Sequence, residues 1–372
     1  MNILITGACG VTSRAIARSL RVSSLASDLR IVGTDVCDNP YGLFEGLYDS
    51  VYRIPHVREA SYAQCIVDIC AREKIDAGIV IPELEVVYWS GRRFPARVAL
   101  PPPKLCQIAV SKKRLYEVLA NTGLVPGFSV VSRETVLGGN ICAVPRFPVW
   151  VRDFGEGGTS GKGSLLAQTP DEFRAWAILK PAIDQFMVSE YLPGRNFACH
   201  LLYSGGRVVK IACYERLEYF MARTVMSGIS GNISKGRLLN DRRLSDISMS
   251  AIERILLQTG EQMHGIVAID LREAADGSPM ITEINLRHVA ATYSFAAAGF
   301  NLAEAHLLIT LGKVDTIGPL EMAFPHQNMI LRDIDGAPMW IANYRIPGVG
   351  EAIVGRDNSP GSVGYSLEGR RS

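Results

Sequence analysis

The chain has 372 residues, more than one typical domain needs, and this length suggests two or three domains. Apolar residues make up 48% and charged residues 20%, so the chain can bury a large core and is not expected to be disordered. The 39 basic and 37 acidic residues nearly cancel, which argues against a general nucleic-acid binder, and no run of 18 uncharged apolar residues predicts a transmembrane helix.

The first hundred residues predict strands and helices in alternation. The predicted elements are strands at 2–6, 29–35 and 76–83, with helices in 7–20 and 61–74. This alternation is typical of parallel βαβ units. Residues 1–103 are therefore predicted to form a small, doubly wound, Rossmann-like α/β domain, which ends at the LPPP segment.

A glycine turn, GACG, joins the first strand to the first helix, and the second strand ends in Asp35. A dinucleotide site would use such a turn for the phosphates and an acidic residue for the ribose. The G-x-x-G spacing lacks the three-glycine fingerprint, so a tight turn without a cofactor is favoured. An NAD(P)-binding oxidoreductase stays open as the alternative of a different class.

The N-terminus has no basic segment before an apolar run, so no signal peptide is predicted. Eight cysteines are scattered along the chain without a CxxC pair. This usage is typical of reduced thiols, and it predicts a cytoplasmic protein.

The remaining chain has a different pattern, with paired strands and fewer crossovers. Its predicted elements are a helix at 111–123, strands within 147–153 and 185–192, a hairpin within 197–214, a helix at 246–264 and a hairpin at 268–287. Residues 104–312 are predicted to form one α+β domain. Residues 313–372 are an extension of unassigned role, with a mobile tail predicted from Arg356.

The segment GEGGTSGKG, residues 155–163, directly follows an apolar strand that carries Arg152. Glycines allow backbone N–H groups to converge on an anion, usually phosphate, although an ordinary surface loop has a similar composition. Lys162 adds a cation that could reach a terminal phosphate. The candidate phosphate-binding residues of this loop are Gly157, Gly158, Ser160, Gly161 and Lys162.

The predicted hairpin at 268–287 carries a group of oxygen ligands. Glu283, Asn285 and Arg287 alternate along one strand, so their side chains share a face, and Asp270 can join them from the paired strand. Carboxylate and amide oxygens are suited to Mg²⁺, with Mn²⁺ as an alternative, in a site that keeps nucleotide phosphate oxygens.

Taken in order, these segments resemble the ATP-grasp superfamily, and within it the branch of the carbamoyl phosphate synthetase large subunit. The similarity covers about residues 1–312 and includes SKKRLYEVLANTGLVPGF, VWVRDFGEGGTSGKG, SEYLPG and TEINLR. The resemblance implies two α+β subdomains after the Rossmann-like domain. It matches Lys112 and Arg152 to nucleotide-binding cations, and Glu190, Tyr191 and Leu192 to the adenine hinge.

This sequence departs from the family pattern at two positions. Leu286 replaces the proline of the family's EINPR motif, and Asn196 stands where many members have a glutamate that binds the ribose hydroxyls. Asn196 can still hydrogen-bond a hydroxyl, but without a charge. It remains a candidate ATP-binding residue.

The resemblance implies that a carboxylic or amino acid is activated by ATP as an acyl phosphate and is then joined to an amine. Arg287 is the candidate that holds the carboxylate and stabilises the oxyanion. In the loop after residue 213, the candidate substrate-binding residues are Glu215, Arg216 and Arg223. The expected partners are small carboxylates and amines, and neither a nucleic acid nor a membrane is expected to bind. A homodimer is the assembly considered.

Other functions within the superfamily stay open. They include carbamoyl or carboxy phosphate chemistry and phosphoryl transfer without ligation. A carbamoyl phosphate synthetase needs a second ATP-grasp half, which one copy in 372 residues does not provide. A nucleotide sensor without catalysis would be expected to lose its metal ligands, and this sequence retains them.

The glycine loop generates the first testable prediction. If residues 155–163 cover a phosphate, their amide hydrogens should exchange fast without nucleotide and slowly with a magnesium–ATP analogue, because lids come from the least stable parts of a fold. Gly158→Val should impair catalysis far more than folding, since valine cannot adopt the conformations open to glycine. Equal exchange in both states, together with a harmless valine, would identify an ordinary surface loop.

Overall fold

The structure is a computed structural model, and it describes residues 1–139, 146–154, 164–220, 222, 232–333, 346–355 and 365–368. Across these residues, no helix combines the length and the apolar character needed to span a bilayer.

The N-terminal part alternates strands and helices, as predicted. Its elements are β1 (Asn2–Thr6), α1 (Val11–Arg21), β2 (Arg30–Asp35), α2 (Tyr41–Phe44), β3 (Ser50–Arg53), α3 (Tyr62–Arg72), β4 (Ala77–Ile79), α4 (Glu83–Trp89) and β5 (Arg97–Val98). The five strands are parallel in the order β3-β2-β1-β4-β5, which confirms the Rossmann-like architecture. The prediction missed α2, β3, α4 and β5, which have seven residues or fewer and too little periodicity to detect.

A small antiparallel sheet follows. The elements of this region are α5 (Pro103–Ala109), α6 (Lys112–Leu119), β6 (Phe128–Ser132), α7 (Arg133–Leu137), β7 (Val149–Asp153), β8 (Leu165–Ala167), α8 (Pro170–Leu179) and β9 (Gln185–Glu190). The strands lie in the order β6-β9-β7-β8. The Ser111 hydroxyl caps α6 by accepting from the N–H of Arg114 at 3.4 Å, so the predicted start of the helix is correct, although it ends at Leu119, before Gly123.

A larger antiparallel sheet is built mainly from hairpins. The elements of this region are β10 (Asn196–Ser204), β11 (Arg207–Tyr219), β12 (Ile233–Leu239), α9 (Arg242–Thr259), β13 (Gly265–Glu273), β14 (Pro279–Asn285), α10 (Thr292–Ala297), α11 (Leu302–Thr310) and β15 (Ile330–Leu331). The strand order is β14-β13-β10-β11-β12-β15. Both predicted hairpins are present, and Gly206 and Gly277 turn them at positive φ values of 81° and 84°.

Helix α9 is displaced from its predicted range, 246–264. It begins earlier because the Asp241 side chain accepts a hydrogen bond from the N–H of Arg243 at 3.1 Å. It ends earlier because Gly260 takes a left-handed conformation, with φ of 68°, and stops the helix.

Helices α10 and α11 pack back onto the N-terminal domain. Ala303 and Leu307 lie in one buried cluster with Ile3 and Ile16. Asn301 caps α11 and also donates its side-chain N–H to the carbonyl of Ser19 at 2.7 Å. The N-terminal sheet is therefore covered by residues from both sides of the predicted boundary at 103.

The C-terminal residues return to the N-terminal sheet. They form β16 (Ala352–Gly355), which pairs antiparallel with β3, and β17 (Tyr365–Glu368), which pairs with β16. The Arg53 guanidinium also donates to the carbonyl of Pro347 at 3.0 Å. The prediction of a mobile tail from Arg356 did not anticipate β17, which pairs with β16 and so depends on the pairing of β16 with β3, some 300 residues earlier in the sequence.

Two buried clusters position the parts that meet at the site. One cluster joins the N-terminal domain to the large sheet and includes Leu4, Trp89, Phe197 and Ile284. The small sheet has a second cluster, built around β7, β9 and α8. Met187 on β9 belongs to the first cluster, so the small sheet also packs against the main core.

Three histidines are buried in the second part of the chain. His288 and His306 hydrogen-bond through their rings at 2.9 Å, and His306 also bonds the carbonyl of Ala99 at 3.0 Å. His200 lies between aromatic rings, and neither of its ring nitrogens has a partner of good hydrogen-bond geometry. Burial lowers the pKa of His200 to about 3 and the pKa of His306 to about 4.

These histidines make the fold sensitive to acid. Their folded-state pKa values lie below the usual value of about 6.5, so the unfolded chain binds protons first as the pH falls below that value. Each such imidazole should lower the free energy of unfolding by about 1.4 kcal/mol per pH unit. The wild type should therefore lose free energy of unfolding between pH 6 and pH 5. We expect His200→Phe to reduce this loss by about 1.4 kcal/mol, measured by urea unfolding. The exposed control His326→Phe should lose as much free energy of unfolding as the wild type. If the wild type and both variants lost the same amount between pH 6 and pH 5, this prediction would be contradicted.

Candidate functional site

The centre of the site is the hairpin of β13 and β14. Asp270 and Glu283 are direct partners across the two strands, and Asn285 lies two residues beyond Glu283, opposite Ala268. The Glu283 side chain is 41% exposed and that of Asp270 is 20% exposed, so both carboxylates are accessible to solvent. The structure thus brings together the three residues proposed as metal ligands.

A β-bulge makes this arrangement possible. Leu271 pairs with Ile281 and Asp270 pairs with Glu283, which leaves Thr282 as the extra residue. Ile281 is fully buried in the core, whereas the Glu283 side chain is 41% exposed. Regular alternation of side chains along a strand would put both residues on the same side of the sheet. The bulge therefore turns Glu283 toward Asp270 without exposing Ile281.

Arg152 connects the small sheet to this bulge. It lies on β7, and its Nη1 donates to the carbonyl oxygen of Thr282 at 3.1 Å. The Thr282 hydroxyl in turn donates to the carbonyl of Asp270 at 3.2 Å. A predicted phosphate-binding cation thus lies directly beside the predicted metal ligands.

Lys112 brings a second cation to the same place. It is the first residue of α6, and its Nζ lies 3.8 Å from a carboxylate oxygen of Glu283. Burial lowers the pKa of the Lys112 ammonium, and the negative charge of Glu283 acts in the opposite direction. Lys112 and Arg152 are on different elements, and both face the hairpin.

Sequence reasoning missed one acidic residue at this junction, Glu83. It follows β4 and receives a long hydrogen bond of 3.5 Å from the N–H of Leu286. Burial raises the pKa of the Glu83 carboxyl, and the charge of Arg287 opposes that shift. Its position after a parallel strand was the available signal, because ligands bind at the carboxyl ends of such strands.

Arg287, the candidate for carboxylate binding, immediately follows β14 and Leu286. Its Nη1 donates to the carbonyl of His288 at 3.0 Å. Its positive charge also lowers the pKa of the Glu83 carboxyl, and Glu83 belongs to the N-terminal domain. Arg287 therefore lies where the N-terminal domain meets the metal-ligand hairpin.

The predicted adenine hinge follows β9. The N–H of Glu190 donates to the carbonyl of Gly127 at 2.9 Å, and the Glu190 carboxylate accepts from the N–H of Gly127 at 3.2 Å. Leu192 is buried, and the Arg272 guanidinium lies 5.2 Å from the ring centre of Tyr191. The backbone of Glu190 is therefore already bonded to the neighbouring strand.

The two faces of the large sheet separate the remaining candidates. Asn196 and Arg216 are cross-strand partners on the face that carries Asp270. Glu215 points to the other face, where it is buried and forms an ion pair with Arg237 at 2.6 Å. The structure therefore does not bring Glu215 to the candidate site, because adjacent residues of a strand alternate in direction.

The other predicted residues lie outside the described part of the chain. They are Gly157, Gly158, Ser160, Gly161, Lys162 and Arg223. Among the described residues, no group of three His, Cys, Asp or Glu side chains could hold a metal. The hairpin supplies two carboxylates, and its third candidate ligand is the amide of Asn285.

The glycine turn after β1 is held by a carboxylate of the chain itself. The two oxygens of Asp35 accept from the N–H groups of Cys9 and Cys37, each at 2.8 Å. A ribose-binding aspartate needs these oxygens for the ligand hydroxyls. The geometry therefore favours a structural turn over a dinucleotide site.

No protein-family model matches the sequence, and no curated protein is similar to it. The fold is nevertheless similar to solved structures. N5-carboxyaminoimidazole synthetase from Staphylococcus aureus, complexed with ADP, has a TM-score of 0.62 at 12% identity, over 95% of this chain and 82% of that one. Phosphoribosylamine–glycine ligase from Thermotoga maritima has a TM-score of 0.62 at 14% identity, over 98% and 83%. An L-amino acid ligase from Bacillus licheniformis has a TM-score of 0.59 at 14% identity, over 86% and 77%.

Proposed function

Because the chain has the ATP-grasp fold, we propose that it is an ATP-dependent carboxylate–amine ligase. It activates a small carboxylic or amino acid as an acyl phosphate, joins it to an amine, and releases ADP and phosphate. The observation that carries this proposal is the meeting of two cations with the hairpin: Lys112 Nζ lies 3.8 Å from Glu283, and Arg152 bonds the carbonyl of Thr282.

The donor set of the hairpin fits Mg²⁺, or Mn²⁺ in its place. Asp270 and Glu283 are opposite each other, and Asn285 adds an amide on the same strand as Glu283. Hard divalent cations prefer such oxygens, and a small set of protein ligands leaves positions for phosphate oxygens. When bound, the ion neutralises phosphate charge and makes the terminal phosphoryl group electrophilic. Lys112 and Arg152 add positive charge to the same region.

The second half of the reaction needs a group that holds the acid. Arg287 presents a planar guanidinium, which binds carboxylates through paired hydrogen bonds and stabilises an oxyanion. The positive charge of Arg287 also lowers the pKa of the Glu83 carboxyl, against the effect of burial. The acid would thus lie between the N-terminal domain and the metal-ligand hairpin.

The compared enzymes support the class of bond that is formed. Two of them are named as ligases, one for amino acids and one for phosphoribosylamine and glycine. Their names favour an amine and a small acid as substrates over nucleic acid or membrane partners. We propose that the enzyme acts in the cytoplasm, where its free cysteines would stay reduced. We also propose a homodimer as its assembly.

Ligand-dependent melting tests the proposal against its main rival. Magnesium with ADP or an ATP analogue should raise the melting temperature, because only ligands of the folded state do so, and NADPH should not. Phosphate release should then be screened over pairs of amino acids and small carboxylic acids, with mass detection of the product. Stabilisation by NADPH alone would favour the oxidoreductase.

Removal of one metal ligand should separate catalysis from folding. Glu283→Ala should abolish ATP turnover, because it removes a charged ligand from a site that the hairpin has already formed. The fold should persist, since this side chain is 41% exposed. The matched control is the exposed Glu253→Ala on α9, which should keep full activity. Normal phosphate release by Glu283→Ala, with both substrates present, would remove the metal assignment.

Arg287→Ala should act on a different step. Nucleotide binding should be retained, and the ligation barrier should rise by about 2–4 kcal/mol, as for the loss of an oxyanion donor. Binding of magnesium–ADP by calorimetry and single-turnover product formation would separate the two effects. The exposed Arg254→Ala controls for the change in net charge. An unchanged kcat in Arg287→Ala would assign this role to another cation.

A further inference from the structure

The proposed function does not explain one buried ion pair. Arg216 on β11 forms a hydrogen-bonded ion pair with Asp270, the residue proposed to bind metal. The Arg216 side chain is only 13% exposed, and its Nε donates to the hydroxyl of Tyr214 at 3.1 Å. The guanidinium is thus fixed at one end by Tyr214 and bound at the other by the carboxylate.

The sheet register explains how the two residues meet. They lie on strands that are not neighbours, with β10 between them. Arg216 is opposite Asn196, whereas Asp270 is opposite Ala198, two residues further along the same face. Because Ala198 carries only a methyl group, the long arginine side chain can cross β10 diagonally and reach the carboxylate.

Each carboxylate of the hairpin has one protein cation. Asp270 is paired with Arg216, and Glu283 is paired with Lys112 at 3.8 Å. The two cations carry the same total charge as one divalent metal ion, and they are directed at the two carboxylates proposed to bind that ion. A metal ion and the guanidinium cannot occupy the same side of Asp270, because they would repel each other at short range.

We propose that Arg216 and the divalent metal compete for Asp270. This inference rests on the proposed function, in which Asp270 is a metal ligand. Without metal, Arg216 neutralises the carboxylate and maintains the shape of the site. When metal binds, the guanidinium leaves Asp270, stays attached to Tyr214, and becomes available on the same face for the anionic group of the acid substrate.

The exchange couples the two binding events. A guanidinium that is only 13% exposed and has lost its carboxylate is poorly solvated, so binding of a second anion in place of that carboxylate is favoured. Metal and nucleotide should therefore promote binding of the acid, and the acid should promote binding of the metal to the same extent. Arg216 acts in this way as a positioning residue between the metal ligands and the acid.

Titration with Mn²⁺ tests the competition without any turnover. The dissociation constant of Mn²⁺, with and without ADP, is measured from the electron paramagnetic resonance of the free ion. Arg216→Met keeps a long unbranched side chain and removes the charge, and we expect it to bind Mn²⁺ about tenfold more tightly than the wild type. Arg207→Met, an exposed arginine at the start of the same strand, should match the wild type. Equal or weaker Mn²⁺ binding by a folded Arg216→Met protein would overturn the proposal.

A second measurement uses the wild-type chain, so it does not depend on whether the variant folds. Phenylglyoxal modifies available guanidinium groups, and peptide mass spectrometry locates the modified arginine. Mn²⁺ alone should accelerate modification of Arg216 and leave that of Arg207 unchanged; no acceleration at Arg216 would overturn its release. If the wild type binds neither Mn²⁺ nor Mn²⁺ with ADP, the proposed function fails as well. Tight Mn²⁺–ADP binding with no effect at Arg216 would overturn only this inference.

Discussion

The pairing of Asp270 with Glu283 across β13 and β14 is the constraint on which the rest of the site depends. It requires the extra residue Thr282, because Ile281 must remain in the core while Glu283 is exposed beside Asp270. A bulge costs ladder hydrogen bonds, yet it also redirects the side chains that follow it. Here its carbonyl group accepts a hydrogen bond from Arg152, so the distortion also provides the contact with the small sheet.

Charge balance around the hairpin follows from this geometry. Two carboxylates close together repel each other unless positive charge lies nearby. The chain supplies that charge from three parts of the sequence: Lys112 from a helix, Arg152 from the small sheet and Arg216 from the large sheet. The small sheet packs against the main core through Met187, and the hydrogen bond of Arg152 adds a polar contact with the hairpin.

Local patterns were sufficient to predict much of the fold. The glycine turn after β1, the Ser111 cap of α6 and the two hairpins each depend on residues close together in the sequence. The same holds for the alternation that places Glu283 and Asn285 on one strand face. These features follow from short-range rules of propensity, capping and side-chain direction.

The site features that escaped prediction depend on distant parts of the chain. Glu83 reaches the site from the N-terminal domain, more than 200 residues before Leu286, and only its position after a parallel strand indicated a role. The Arg216–Asp270 pair depends on strand order and on the small side chain of Ala198 between them. Ends of helices were also misjudged, since Gly260 stops α9 four residues before the apolar pattern does.

The antiparallel pairing of β16 with β3 has a consequence for the synthesis of the protein. A ribosome releases the N-terminal strands first, and β3 then has an unpaired edge until residues 352–355 have been made. An open edge of this kind can pair with a strand of another chain. The N-terminal sheet is thus made before the strand that covers its edge, and this edge stays open while the intervening residues, some 300 in number, are translated.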